Sequence, residues 1–306
     1  MRTTTRTRCL FFSALLGVLC ASVVSPATVR AAQDERTDKA RQEIVRLIAA
    51  SGAEVSVAFR MLDGKNELLI EPDREFHAAS TMKIPVMIEL FAQARAGKLR
   101  LDDEVAVNNE FHSIVDGSPY QLDAADDSDP EVYRSIGQRM TLRRLCEAMI
   151  TVSSNLATNV LIETVGVENV QRRVHALKAD GMKVLRGVED GKAFQKGLNN
   201  ATSARALLIL LEALAQNRAG DPRDCDAMLE ILKRQKFNDA IPAGLPAGTP
   251  VAHKTGEITR INHDAAIVFA PRPFVLVVLV RGVEDKKKSA ALIAEITRAL
   301  FEASQQ

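Results

Sequence analysis

Ser80 and Lys83 stand three residues apart in His77-Ala78-Ala79-Ser80-Thr81-Met82-Lys83-Ile84-Pro85-Val86, at what reads as the start of a helix. At i and i+3 the two side chains share one helical face, so the amine can take up the hydroxyl's proton. A serine hydroxyl is a weak nucleophile at neutral pH and needs such a base. Pro85 removes an early backbone N–H and is best tolerated when the helix begins near Ala79. Ser80 is therefore expected in the first turn, where free N–H groups and the helix dipole favour developing negative charge. A chain of this length contains about one Ser-x-x-Lys by chance, and a polar helix cap followed by a solvated lysine would give the same pattern.

Two more polar groups carry equal interest. Ser153-Ser154-Asn155 sits at a break between helical patterns, where side chains can face a cleft, although such a triplet is commonly a plain cap or turn. Lys254-Thr255-Gly256 is placed at the beginning of a strand, its glycine permitting close approach of another backbone. The chain holds one Ser-x-x-Lys, one Ser-x-Asn and one Lys-Thr-Gly, in that order. A glycine- and charge-rich stretch from Gly181 to Asn200, ending in Gly197-Leu198-Asn199-Asn200, is read as a long loop or short hairpin. Loops of that length in compact domains are often functional.

The elements that must position these groups follow from periodicity. Helical spacing covers Glu35–Ser51, Val86–Ala96, Leu142–Thr151, Leu156–Thr164, Asn169–Leu177, Ala201–Gln216, Pro222–Gln235 and Asp285–Ala303. Strand patterns cover Glu54–Leu62 and Asn66–Glu71 around Asp63-Gly64, then His263–Ala270 and Phe274–Arg281 around Pro271-Arg272-Pro273. Residues 102–138, with Asp126-Asp127-Ser128-Asp129-Pro130, have loop composition. The order is helix, strands, a helical block, strands, helix. It predicts an α+β fold, an antiparallel sheet flanked by the terminal helices with a large all-helical insert. The expected division is a sheet lobe of about 33–75 plus 240–306 and a helical lobe of about 76–239.

The 306 residues are 46% hydrophobic, which excludes general disorder. Arg2, Arg6 and Arg8, the apolar run Cys9–Val24, and small residues at Val29 and Ala31 predict a secretory leader, residues 1–31, cleaved before Ala32. Loss of Arg2, Arg6, Arg8 and Arg30 leaves 36 basic against 39 acidic side chains. No basic run with interleaved aromatics exists, so nucleic acid is not an expected partner. A periplasmic or secreted monomer with no stable membrane insertion is expected. Cys146 and Cys225 survive cleavage and either pair or remain separate buried thiols. The histidines at 77, 112, 175, 253 and 263 form no close ligand pair, so neither metal nor cofactor is expected.

The ordered serine, asparagine and lysine elements form a signature of penicillin-recognising serine enzymes. With Met149-Ile150-Thr151-Val152-Ser153-Ser154-Asn155-Leu156-Ala157-Thr158-Asn159, they make the chain resemble the class A serine β-lactamases and the related penicillin-binding DD-peptidases across nearly all of its predicted mature length. The resemblance implies that Ser80 attacks the lactam carbonyl and Lys83 takes or relays its proton. It implies that Ser153, helped by Lys254, protonates the departing nitrogen. Asn155 would bind the substrate's side-chain amide and Thr255, beside Gly256, its carboxylate. The backbone N–H groups of Ser80 and Glu257 would form the oxyanion hole, each such donor being worth about 3 kcal/mol at a transition state. Two lysines near one serine should depress at least one ammonium pKa. Arg260 either supplements the carboxylate site or is an ordinary surface arginine.

Two positions depart from the family pattern. Its Ser-Asp-Asn triplet is Ser153-Ser154-Asn155 here. Its deacylating glutamate, three residues before a Leu-Asn pair, matches Gln195 if Leu198-Asn199 is that pair, and an amide cannot accept the proton. Glu189, six residues earlier, is the replacement base if the loop folds differently. With a competent base the protein is a β-lactamase. Without one it is a penicillin-binding peptidase or another serine acyl hydrolase with a long-lived acyl-enzyme. A non-catalytic periplasmic module that binds lactam or cell wall is the third reading. No Gly-x-Ser-x-Gly is present, which argues against an α/β-hydrolase.

Overall fold

Phe274-Val275-Leu276-Val277-Val278-Leu279-Val280 is apolar without interruption, and such a run is stable as a strand only where both faces are covered. In the computed structural model, which describes residues 26–305 and side chains 35–305 except that of Asp126, this segment is the centre of a five-stranded antiparallel sheet. The strands are β1 (Glu54–Met61), β2 (Glu67–Ile70), β3 (Val251–Ile258), β4 (Ile261–Val268) and β5 (Phe274–Arg281), in the spatial order β2-β1-β5-β4-β3. Side chains alternate between faces. Phe274, Leu276, Val278 and Val280 join a cluster with Ile44, Ile293, Ile296 and Leu300 from the first and last helices. Val275, Val277 and Leu279 face the other helices.

Those helices are α1 (Pro26–Ser51), α2 (Lys83–Arg95), α3 (Pro130–Arg134), α4 (Leu142–Thr151), α5 (Asn155–Val165), α6 (Val167–Ala176), α7 (Gly191–Gln195), α8 (Ala204–Ala215), α9 (Pro222–Lys233) and α10 (Lys286–Gln305). Helix α8 packs on β1, β4 and β5, while α2 is enclosed by α4, α5, α6 and α9. The arrangement is the expected α+β fold. The predicted leader falls largely on residues 1–25, outside the described residues. Among the described residues, no helix is long and apolar enough to cross a membrane. Cys146 and Cys225 are both buried free thiols.

The sequence pattern misplaced several details that matter for the site. Lys254-Thr255-Gly256 lies inside β3, which starts at Val251, instead of opening it. The Gly-Pro punctuation around 244–250 hid the first residues of that strand. Ser80 lies in a separate 3₁₀ turn, Ala79–Met82, and the α-helix begins only at Lys83. Phe76–His77 pairs with Ala201–Thr202 in a two-residue ladder, so the end of the 181–200 loop is tied beside the Ser80 turn.

Candidate active site

The Ser80 turn is held from both sides. Ala78 N–H donates to Asn200 O (2.8 Å), and Thr81 Oγ1 donates to Ala78 O (2.6 Å). Ala79 has a φ of 45°, a left-handed conformation for a residue with a side chain. Gly256 explains how β3 reaches this turn. A Cβ there would lie 3.0 Å from Thr81 Cγ2, 3.2 Å from Thr81 N and 3.3 Å from Ala78 O. The expected close approach at this glycine is therefore present, and the backbone it admits is the nucleophile's own turn.

Lys83 and Lys254 are both fully buried. Lys83 Nζ donates to Ser153 O (2.7 Å), Ser153 Oγ (3.2 Å) and Asn155 Oδ1 (2.9 Å). Lys254 Nζ donates to Ser153 Oγ (3.0 Å) and Thr255 O (2.8 Å). A hydroxyl has two lone pairs and one proton. With a lysine on each lone pair, the Ser153 proton is the part left to donate. Burial pushes Lys83 down to about 7, although the charges of Asp127 and Glu189 oppose the shift. Burial, then repulsion from Lys83, holds Lys254 well below the ordinary lysine range, against the opposing charge of Asp264. Desolvation is thus the first cause of both shifts, and mutual repulsion adds to it at Lys254.

Ser153 is presented by a strained turn. Its φ of 62° costs about 1–3 kcal/mol and must be held by neighbours. Ser154 N–H donates to Ala148 O (3.0 Å), and Ser154 Oγ caps α5 by accepting from Ala157 N–H (3.2 Å). The triplet divides between two jobs. The middle serine caps, while Ser153 and Asn155 face the lysines.

The loop decides where the carboxylate goes. Glu189 Oε1 accepts from Asn155 Nδ2 (2.7 Å), so the same amide links it to Lys83. Glu189 lines a cleft of about 630 Å³ with Ser80, Asn155, Val188 and Glu257, whereas Gln195 is an exposed residue at the end of α7 and is absent from that lining. Anchors on both sides of Glu189 fix its backbone at φ 62°. Asn159 Oδ1 accepts from Val188 N–H (2.7 Å) and Asn159 Nδ2 donates to Val188 O (3.1 Å). Asp190 accepts from Ser113 Oγ (2.8 Å), Ile114 N–H (3.0 Å) and Ala193 N–H (3.0 Å). Burial alone would raise the Asp190 pKa, but these three donors together with the Arg186 charge more than offset it and hold the carboxyl below its usual value.

At the loop's neck, Asn200 Oδ1 accepts from Leu185 N–H (2.8 Å) and Arg186 N–H (3.2 Å). Arg186 donates to Leu198 O (2.9 Å) and Asn199 Oδ1 (3.1 Å).

Glu257 is in the cleft wall, its carboxylate paired with Lys286 at 2.5 Å. Thr255 shares β3 with its neighbours Lys254 and Gly256. Arg260, on the β3–β4 turn, donates to Gly282 O (3.2 Å) and lies 3.9 Å from Glu284, the surface arrangement weighed at the outset. Asp127, Asn159, Arg186 and Asn200 were missed by sequence reasoning. Each is a polar residue in a loop or helix whose partners lie well apart in sequence, and only the Asp-rich composition around Asp127 was visible.

A serine on a short turn, two buried lysines and a cleft-facing carboxylate on this sheet-and-helix scaffold are the groups that serine acyl transfer would need. The chain belongs to the beta-lactamase enzyme family, which it matches over residues 39–304. It is 27% identical to a beta-lactamase of Bacillus licheniformis, over 96% of this chain and 93% of that one. Among solved structures, an ancestral class A beta-lactamase superposes with a TM-score of 0.74 at 25% identity, covering 86% of this chain and 99% of the other. A structure of PBP-A does so with a TM-score of 0.74 at 26% identity, covering 87% and 95%.

Proposed function

We propose that this chain is a serine β-lactamase that opens the lactam ring through an acyl-enzyme at Ser80, and that Glu189 supplies the base for hydrolysis. The observation that carries it is the continuous network Lys254–Ser153–Lys83–Asn155–Glu189, which links the acylation and deacylation groups. Neutral Lys83 takes the Ser80 proton as Oγ bonds to the lactam carbonyl carbon. The carbonyl oxygen gains negative charge between the N–H groups of Ser80 and Glu257. Collapse breaks the C–N bond, and Ser153 delivers its proton to the nitrogen, with Lys254 replenishing it. A water then gives a proton to Glu189 and its oxygen attacks the ester carbonyl. The C–O bond to Ser80 breaks as Ser80 Oγ takes back the proton held on Lys83, the ring-opened acid leaves, and the proton on Glu189 is passed on to restore Lys254. Asn155 holds the substrate's side-chain amide, and Thr255 with Gly256 borders its carboxylate.

In this reading the cleft lies between a sheet lobe of 33–75 plus 240–306 and a helical lobe of 76–239. The protein acts as a periplasmic or secreted monomer after removal of residues 1–31. The similarity to PBP-A supports a second reading, a penicillin-binding protein whose acyl-enzyme persists. Two measurements separate them. A fluorescent penicillin should label the wild type and fail to label Ser80→Ala; surviving label would remove the central claim. A chromogenic cephalosporin supplied in many equivalents should be consumed continuously, while a single-turnover burst without a steady state would favour the second reading.

A further inference from the structure

Asp127 ties the loop before α3 to the turn that presents Ser153. Its Oδ2 accepts from Asn155 N–H (2.7 Å), Leu156 N–H (2.9 Å) and Ser154 Oγ (3.1 Å), while Oδ1 accepts from Asp129 N–H (2.9 Å). The first two are donors in the opening turn of α5, which no helical carbonyl can satisfy. The third is the hydroxyl that itself caps Ala157. Ser154 thus brings a neutral cap where the family pattern has an aspartate, and Asp127 brings a carboxylate to the same helix end from 28 residues away in sequence. The negative charge also sits close enough to Lys83 to oppose its loss of a proton.

We propose that Asp127 is a positioning residue for acylation, holding the left-handed Ser153 turn so that Ser153 Oγ stays between the two lysines and Asn155 stays on Lys83. It rests on the reading of Ser80 as the acylated nucleophile and does not itself touch substrate. The charged groups facing Lys83 are Lys254 from β3, Glu189 from the 181–200 loop and Asp127. Removing Asp127 therefore leaves Glu189 as the carboxylate that opposes the fall in the Lys83 pKa.

The test compares wild type, Asp127→Ala and the double variant Asp127→Ala with Ser154→Asp, each full-length and checked for folding by circular dichroism. The readout is the second-order rate of fluorescent-penicillin labelling from pH 5 to 9. The single variant should label about 10–100-fold more slowly at its plateau, the loss expected when reacting groups are displaced by a fraction of an ångström to about 1 Å. The pH midpoint of its labelling should fall, because a carboxylate facing Lys83 is gone. Ser154→Asp should recover most of the plateau rate, since an N-cap aspartate accepts from the Leu156 or Ala157 N–H and returns a negative charge to the same helix end.

Wild-type rate and midpoint in the single variant would overturn the proposal whatever its melting temperature, and so would a loss that Ser154→Asp leaves uncorrected. If Asp127→Ala does not fold, Asp127→Asn, which keeps the volume and one acceptor, is judged by the same rate and midpoint. A wild type that never labels would overturn the lactamase reading and this one with it; a wild type that labels isolates the failure to Asp127.

Discussion

Glu189→Gln changes one atom type at the centre of the proposed deacylation step. The amide oxygen can still accept from Asn155 Nδ2, now 2.7 Å from Glu189 Oε1, and the Asn159 and Asp190 anchors of the loop are untouched. The site therefore keeps its shape and loses only its basicity. General-base catalysis contributes about 10²–10⁴-fold, or about 3–5 kcal/mol at the transition state, so deacylation should slow by that factor. Acylation should not slow with it. The Glu189 charge opposes the depression of the Lys83 pKa, so its removal favours the neutral amine that accepts the Ser80 proton.

The two effects split the kinetics. The kcat should fall by about 10²–10⁴-fold and KM should fall in parallel as acyl-enzyme accumulates, leaving kcat/KM within a few-fold of wild type. Stopped-flow hydrolysis of a chromogenic cephalosporin should show a burst of about one equivalent, and intact mass should show the adduct on the protein. Unchanged kcat with no burst would refute the assignment of Glu189. A fall in kcat/KM equal to that in kcat would show that the carboxylate acts in acylation instead.

The acylation rate of the wild type should rise with pH through about 7 and then level off, because Lys83 must be neutral to accept a proton and burial sets its pKa there. Below that midpoint the rate should drop roughly tenfold per pH unit; a lysine at its ordinary pKa would keep rising to about pH 10, which pH-resolved labelling distinguishes. Gly256→Ala should place a Cβ against the backbone of the Ser80 turn, 3.2 Å from Thr81 N, and cut the labelling rate at least about tenfold with the fold retained by circular dichroism. Asp264→Ala should strip the acceptor from the buried donors His253 Nδ1 and Ile241 N, on the face of the sheet opposite Lys254. At about 1–3 kcal/mol per orphaned donor, the urea midpoint should fall clearly, and an unchanged midpoint would show that those groups find other partners.

The sheet, its flanking helices and the order of the reactive elements were legible because they rest on local regularities. An uninterrupted apolar run marks β5, covered on both faces, and unbroken helical spacing marks Leu142–Thr151. The types Ser80, Lys83, Ser153, Asn155 and Lys254 were legible as chemistry for the same reason, since reactivity is a property of residue type and short spacing. Whether Glu189 or Gln195 faces the cleft was not. That choice depends on Asn159 and Ser113 gripping the 181–200 loop from outside it, on Asp190 and Asn200 tying it from within, and on a left-handed Glu189 backbone.

The depth of the Lys83 pKa shift likewise comes from burial by the whole fold, which no window of sequence contains. Asp127 makes the point most sharply. In the chain it is one acid in an irregular stretch; in space it completes the end of a helix beginning at Asn155. Local spacing encodes which atoms can react, but their distances, their exposure and the carboxylate that meets them are long-range packing results. Only the folded chain decides those.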